Sequence, residues 1–154
     1  MSSEPRTERG LADVAPRLHT AMMEFMAVAY PGTVDIVTRE LVRIYSGRES
    51  HCRICRNFRL RVAIDRGFEE SMVEQMDDLD HSDLAPHQKA ALRLAHDFLG
   101  DPRAFDVAAR DELLAHFTPE QVAELVLDLV RYRPGSKLTV VAGDEPAEEG
   151  LIYS

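Results

Sequence analysis

Cys52 and Cys55 are the only cysteines in the 154-residue chain, and two residues separate them. In a reducing compartment a pair at that spacing does redox chemistry or holds a metal more often than it forms a structural bridge. Five arginines crowd the same stretch, Arg53, Arg56, Arg59, Arg61 and Arg66, in a chain whose formal net charge is -9. The thiolate is the reactive form of cysteine, and nearby positive charge favours it. Ser50-His51-Cys52-Arg53-Ile54-Cys55 reads as a helix start with Ser50 as N-cap. Cys52 then lies in the first turn, where unpaired backbone N–H groups also favour an anion. At about 100° per residue Cys55 shares a buried arc with Ile54, Phe58 and Val62, with Cys52 at its edge. Arg59 falls between the two cysteines in angle, one turn further on. The pattern predicts a dithiol–disulfide couple with one sheltered and one accessible thiol, and position near the helix end favours Cys52 as the reactive one.

A zinc site competes for the same residues, but zinc wants four ligands and the chain has one CxxC. His51 offers at most a third, and His81, His87, His96 and His116 show no ligand-like spacing around it. A c-type haem needs histidine directly after the second cysteine, where Arg56 stands. Neither metal nor cofactor is expected. The plainer alternative is two inert cysteines packed as small hydrophobes.

These residues need elements to position them. Helical periodicity dominates, and helices are predicted at about 12–29, 34–46, 51–66, 69–78, 86–99, 103–116 and 119–132, with a short one near 135–142. Thr118-Pro119-Glu120-Gln121 is the clearest start, combining a cap, a proline at the first helical position and a capping box. The fold class expected is all-α, a compact bundle of about seven or eight helices. Residues 1–10 and 146–154, the second an acidic tail, are expected to be loose, flanking one domain over 11–145. On the predicted second helix Val34, Ile36, Val37, Leu41 and Ile44 form an apolar arc, and Glu40 lies inside it. A carboxylate there is costly unless paired. If a short connection through Gly47 folds the next helix back, Arg59 is its ion-pair partner and a cysteine thiol its partner for proton exchange. Burial raises the pKa of a glutamate, so Glu40 could take a proton near neutral pH. A purely structural Glu–Arg pair is the alternative.

Composition bounds the rest. Apolar (45%) and charged (29%) contents are those of a globular protein. No apolar run reaches the roughly 18 residues needed to span a bilayer, and the polar MSSEPRTERG start lacks the apolar core of a signal peptide. A cytoplasmic location, no membrane and no nucleic-acid partner are therefore expected, because phosphate binding rests on clustered Lys and Arg in a basic surface.

Glu40, eleven intervening residues and then CxxC resemble the arrangement of the carboxymuconolactone decarboxylase-like superfamily, in its alkylhydroperoxidase D-type (AhpD-like) branch. The similarity runs from about residue 15 to 145 and takes in the Gly67 turn, Phe117-Thr118-Pro119-Glu120-Gln121-Val122, and the end from Arg131-Tyr132-Arg133 through Lys137-Leu138 to Gly143. The resemblance implies an all-helical homo-oligomer, a dimer, trimer or hexamer. It also implies a thiol-dependent peroxidase or disulfide reductase that acts on a hydroperoxide or disulfide and draws on a dithiol electron donor. In that branch the second cysteine, here Cys55, attacks and Cys52 resolves. The branch also keeps two histidines that relay protons with the glutamate, where this chain has Ile54 and Arg59. Arginine stays protonated and cannot act as a base. His51 precedes Cys55 by four residues, and on a continuous helix it would be a neighbour that partly replaces the lost base. Cys55, Cys52, Glu40, Arg59 and His51 are thus the candidate catalytic residues. The competing functions are a non-catalytic redox-sensing or small-molecule-binding oligomer and a lactone decarboxylase-type lyase, whose members generally lack the CxxC.

Overall fold

The computed structural model describes residues 11–27, 32–143 and 150–154. Two helices, α1 (Leu11–Val14) and α2 (Pro16–Ala27), meet at Ala15. The steric demand of a proline on the residue before it breaks what periodicity predicts as one helix. Next come α3 (Ile36–Glu49), α4 (Arg53–Asn57), the two-residue strand β1 (Phe58–Arg59), α5 (Arg61–Ile64) and α6 (Ser71–Glu74), the last running into a 3-10 turn at Gln75–Asp77. The long helices α7 (Pro86–Leu99), α8 (Val107–His116) and α9 (Pro119–Ala142) follow, and a short strand β2 (Ile152–Tyr153) ends the chain. The all-α expectation holds. Among the described residues no helix is long and apolar enough to cross a membrane.

Local chemistry sets most boundaries. Asp35 caps α3 by accepting from the Thr38 N–H at 2.9 Å, and Asp106 caps α8 through Ala109 N–H at 2.9 Å. That cap moves the start of α8 four residues past the expected 103. At α9, Thr118 and Gln121 exchange the two hydrogen bonds of a capping box, at 3.3 and 3.0 Å. The helix then runs for 24 residues, through Pro134, to a left-handed Gly143. Periodicity predicts a break there, at 132–135, and the helix has none. Packing overrides the local cost of a proline that has no N–H to offer the Val130 carbonyl.

α3 is the central element. Val37, Leu41, Val42 and Ile44 are buried, and Val42 joins Ala91, Ala95, Leu125 and Leu129 in one apolar cluster. Leu41 and Ile44 join Ala63, Phe68, Met76 and Leu92 in a second. With α7 and α9 against it, α3 has almost no solvent face, so its polar residues must find partners inside the protein.

The largest correction concerns 51–66, predicted as one helix. Ser50 caps the C-terminus of α3 rather than the N-terminus of the next helix. His51 follows in a left-handed conformation, φ 54°. His51 N–H bonds the Arg48 carbonyl at 2.9 Å and Cys52 N–H bonds the Gly47 carbonyl at 3.1 Å, the two bonds of a Schellman motif. α4 therefore starts with Cys52 as its N-cap and lasts five residues. The chain then goes extended, and β1 pairs in parallel with β2, Phe58 opposite Ile152 and Arg59 opposite Tyr153. Residues 152–154, expected to belong to a loose tail, are thus bonded to the segment after the dithiol. Residues 1–10 and 144–149 lie outside the described residues.

Gly47 makes the close return of α4 possible. A Cβ there would sit 2.7 Å from the Cys55 carbonyl carbon and 2.8 Å from the Arg56 nitrogen. Both are backbone atoms, so nothing flexible can yield. Gly47→Ala is expected to lower unfolding free energy in urea by about 1–3 kcal/mol. An unchanged midpoint would mean that α4 withdraws freely.

Candidate active site

The two thiols differ in their surroundings, one buried in the protein and the other at the edge of a cavity. Cys52 is wholly buried (0% exposed) and Cys55 is half-buried. Their sulfurs lie 2.6 Å apart, so closing a disulfide needs little rearrangement. Cys52 Sγ also accepts from the Cys55 backbone N–H at 3.3 Å, the capping role usually filled by serine or aspartate. Cys55 faces a cavity of about 290 Å³ whose walls are Met22 and Met23 of α2, Ile54 and Phe58, and Tyr132, Gly135, Ser136 and Thr139 of α9, with Arg43 at one side. The helical wheel puts Cys52 at the exposed edge of its arc. The order is reversed because Cys52 is a cap tucked under α3 and not a member of a first turn.

Glu40 is buried, as its place in the apolar arc requires, but its partner is neither Arg59 nor a thiol. Arg43, one turn on in α3, makes a two-pronged pair with it, Nε–Oε2 and Nη2–Oε1 both 2.8 Å. Glu40 Oε1 also accepts the Leu60 N–H at 2.9 Å. Arg43 Nη1 donates to the Cys55 carbonyl at 2.9 Å, and Nη2 also reaches the Phe58 carbonyl. The Arg43 guanidinium lies 5.1 Å from the Phe58 ring centroid. In a continuous helix the Cys55 carbonyl would take the Arg59 N–H. Arg43 supplies that bond where α4 stops, so the pair fixes the path of the chain past the dithiol.

Arg59 is almost fully buried but points elsewhere. Its Nε bonds Glu70 Oε2 at 2.8 Å, and Nη2 contacts the other carboxylate oxygen. Nη1 donates to the Arg56 and Phe58 carbonyls at 2.7 and 2.8 Å. The angular extrapolation that brought it toward both sulfurs fails because the chain leaves helical geometry at Phe58. His51 is exposed and sits outside α4, so it is not a helical neighbour of Cys55 and the reason for reading it as a base is gone. Among the described residues no group of three or more His, Cys, Asp or Glu side chains could hold a metal ion.

Three residues of the site escape sequence reasoning. Arg43 has a signal, since it stands three positions after the misplaced Glu40. Ser136 Oγ donates to Cys55 Sγ at 3.0 Å from 81 residues away, and nothing local announces that contact. Tyr132 lines the cavity with its phenol pKa raised, chiefly by burial, so it is neutral at physiological pH.

No family model matches the sequence. Two uncharacterised proteins of Mycobacterium tuberculosis, from strains CDC 1551 and H37Rv, are each 31% identical to it over 121 residues, or 78% of this chain. The chain spans less than half the length of these curated relatives, 43%. Among solved structures, a protein of unknown function from Agrobacterium tumefaciens, described as a candidate antioxidant defence protein AhpD, matches with a TM-score of 0.76. The match covers 93% of this chain and 100% of the other at 15% identity. The fold is AhpD-like. At that identity the likeness speaks for the fold alone, which is the one implied by the resemblance in sequence.

Two outcomes follow from the geometry. Arg43→Met leaves a buried carboxylate without its cation and is expected to cost about 3–5 kcal/mol in urea unfolding. Adding Glu40→Gln should recover much of that, whereas a small loss for Arg43→Met alone would mean that Glu40 is held by other groups. His51→Gly removes a side chain from a left-handed position and is expected to add about 1 kcal/mol of stability. The pH profile of Cys55 oxidation should stay as it was; a slower reaction near neutrality would restore His51 as a base.

Proposed function

We propose that the protein is a thiol oxidoreductase that reduces a hydroperoxide or a disulfide with Cys55 as the attacking thiol and Cys52 as the resolving one. The observation that carries this reading is the division of the pair. Cys55 opens on a cavity, and Cys52 lies behind it within bonding reach and closed to solvent. With a hydroperoxide, the Cys55 thiolate attacks the terminal oxygen, an S–O bond forms, the O–O bond breaks, and the alkoxide leaves as the alcohol with the proton from Cys55. Cys52 then attacks the Cys55 sulfur, the S–S bond forms, the S–O bond breaks, and the hydroxyl leaves as water with the proton from Cys52. An external dithiol returns both sulfurs to thiols by exchange. A disulfide substrate needs the same two attacks with a thiol as leaving group. The apolar walls suit an organic substrate, and the description of the Agrobacterium neighbour as a candidate antioxidant defence protein agrees with the reading.

A redox-sensing role is favoured by one observation. Ile54 lines the cavity and Arg59 is tied to Glu70, in the places where the resembling branch keeps its relay histidines. A pair that oxidises once without turning over would follow from that loss.

Intact mass spectrometry with a limiting organic hydroperoxide decides between them. The parent should form an intramolecular disulfide that a dithiol reverses, with continued consumption of hydroperoxide when the dithiol is in excess. Cys55→Ser should abolish consumption, and Cys52→Ser should stop at a trappable sulfenic acid on Cys55. Consumption unaffected by Cys55→Ser removes the assignment. Oxidation without turnover, on hydroperoxide and disulfide alike, supports the sensor.

A further inference from the structure

With Cys55 as the attacking thiol, the reading on which this inference rests, the groups that touch its sulfur bear on how readily it ionises. Ser136 of α9 is buried and its Oγ lies 3.0 Å from Cys55 Sγ. The same oxygen lies 3.1 Å from the Tyr132 carbonyl, one turn earlier in α9. A hydroxyl has one proton to donate and two lone pairs to accept with. The two acceptors therefore compete for it, and the charge on sulfur decides the competition. When Cys55 is a thiol, its S–H can be donated to Ser136 Oγ while the hydroxyl proton rests on the Tyr132 carbonyl. When Cys55 is a thiolate, the hydroxyl proton is drawn to the sulfur, because hydrogen bonds to an ionised acceptor are about twice as strong as neutral ones. The Tyr132 carbonyl then keeps the backbone N–H of Ser136 that the helix supplies.

We propose that Ser136 holds the Cys55 sulfur in its reactive form by turning its hydroxyl from the Tyr132 carbonyl to the sulfur. The thiol proton passes to water in the cavity, and no other group changes its covalent state. Among the described residues, Arg43 on α3, Cys52 ahead of α4 and Tyr132 on α9 are charged or titratable groups that touch Cys55 or line the cavity. Arg43 donates to the Cys55 carbonyl and to Glu40, and Tyr132 stays neutral, whereas Ser136 aims a hydroxyl at the sulfur from another helix. The position is prepared. Thr139 bonds the Gly135 carbonyl at 3.0 Å, a second hydroxyl closing on the helix backbone after Pro134.

The test is the rate of Cys55 alkylation by iodoacetamide as a function of pH, in a Cys52→Ser background so that one thiol reports. Serine is a good N-cap, so α4 keeps its start. Ser136→Ala is expected to move the midpoint of the profile up by about 1–2 pH units, the strength of a hydrogen bond to a charged group. Near neutrality that is a slowing of about tenfold or more, with the plateau at high pH unchanged. Ser136→Thr restores a hydroxyl and should bring the midpoint back toward the parent. A Ser136→Ala profile that coincides with the parent overturns the proposal, as does a change in plateau with no change in midpoint. Alanine is the better helix former, so α9 should persist, which circular dichroism checks. Alkylation needs no turnover. Failure to consume hydroperoxide or disulfide would therefore count against the enzyme reading while leaving this result to stand or fall alone.

Discussion

The rest of the site depends on the buried pair between Glu40 and Arg43. A buried ion pair is rarely a gain in itself, because desolvating both charges costs as much as their attraction returns unless every remaining donor and acceptor is used. Here the surplus hydrogen-bonding capacity is spent on the backbone. Glu40 takes the Leu60 N–H, and Arg43 takes the carbonyls of Cys55 and Phe58. Those groups are the ones left over when a helix stops. The pair therefore does for the segment after the dithiol what a longer helix would have done, and lets the chain turn extended at β1.

That turn decides which thiol meets the outside. With α4 only five residues long and packed on Gly47, Cys52 is pressed beneath α3 and Cys55 is turned toward α9. α9 in turn has to run unbroken past Pro134 for Ser136 to arrive at the cavity beside Tyr132. Its capping box, its apolar contacts through Leu125 and Leu129, and the left-handed Gly143 at its end hold it to that length.

Much of this was legible in the residues themselves. The Thr118–Gln121 box, the bounds 86–99 of α7, the dithiol and the oddity of a carboxylate among apolar neighbours all follow from local pattern. The partner of Glu40 did not, because a helix buried on nearly every side has no solvent face against which an arginine three positions on would look out of place. The break at Phe58–Arg59 was hidden for another reason. It is stabilised by Glu40 and by β2, 20 residues upstream and more than 90 downstream, and neither contact leaves a mark on the local sequence. Pro134 misled in the opposite direction, since a local signal for ending a helix was outweighed by tertiary packing. His51 was misplaced by the same two-residue shift of cap that made Cys52, and not Ser50, the start of α4.

The contact between Gly47 and Cys55 gives the site a hard wall and a soft one. On the α3 side two backbones meet with no side chain between them, so that wall cannot yield. On the other side stand Met22 and Met23, unbranched thioether chains with several rotatable bonds. The cavity beside Cys55 can therefore change shape more easily on its α2 side than on its α3 side, and Leu18 and Phe25 of that same helix are exposed apolar side chains.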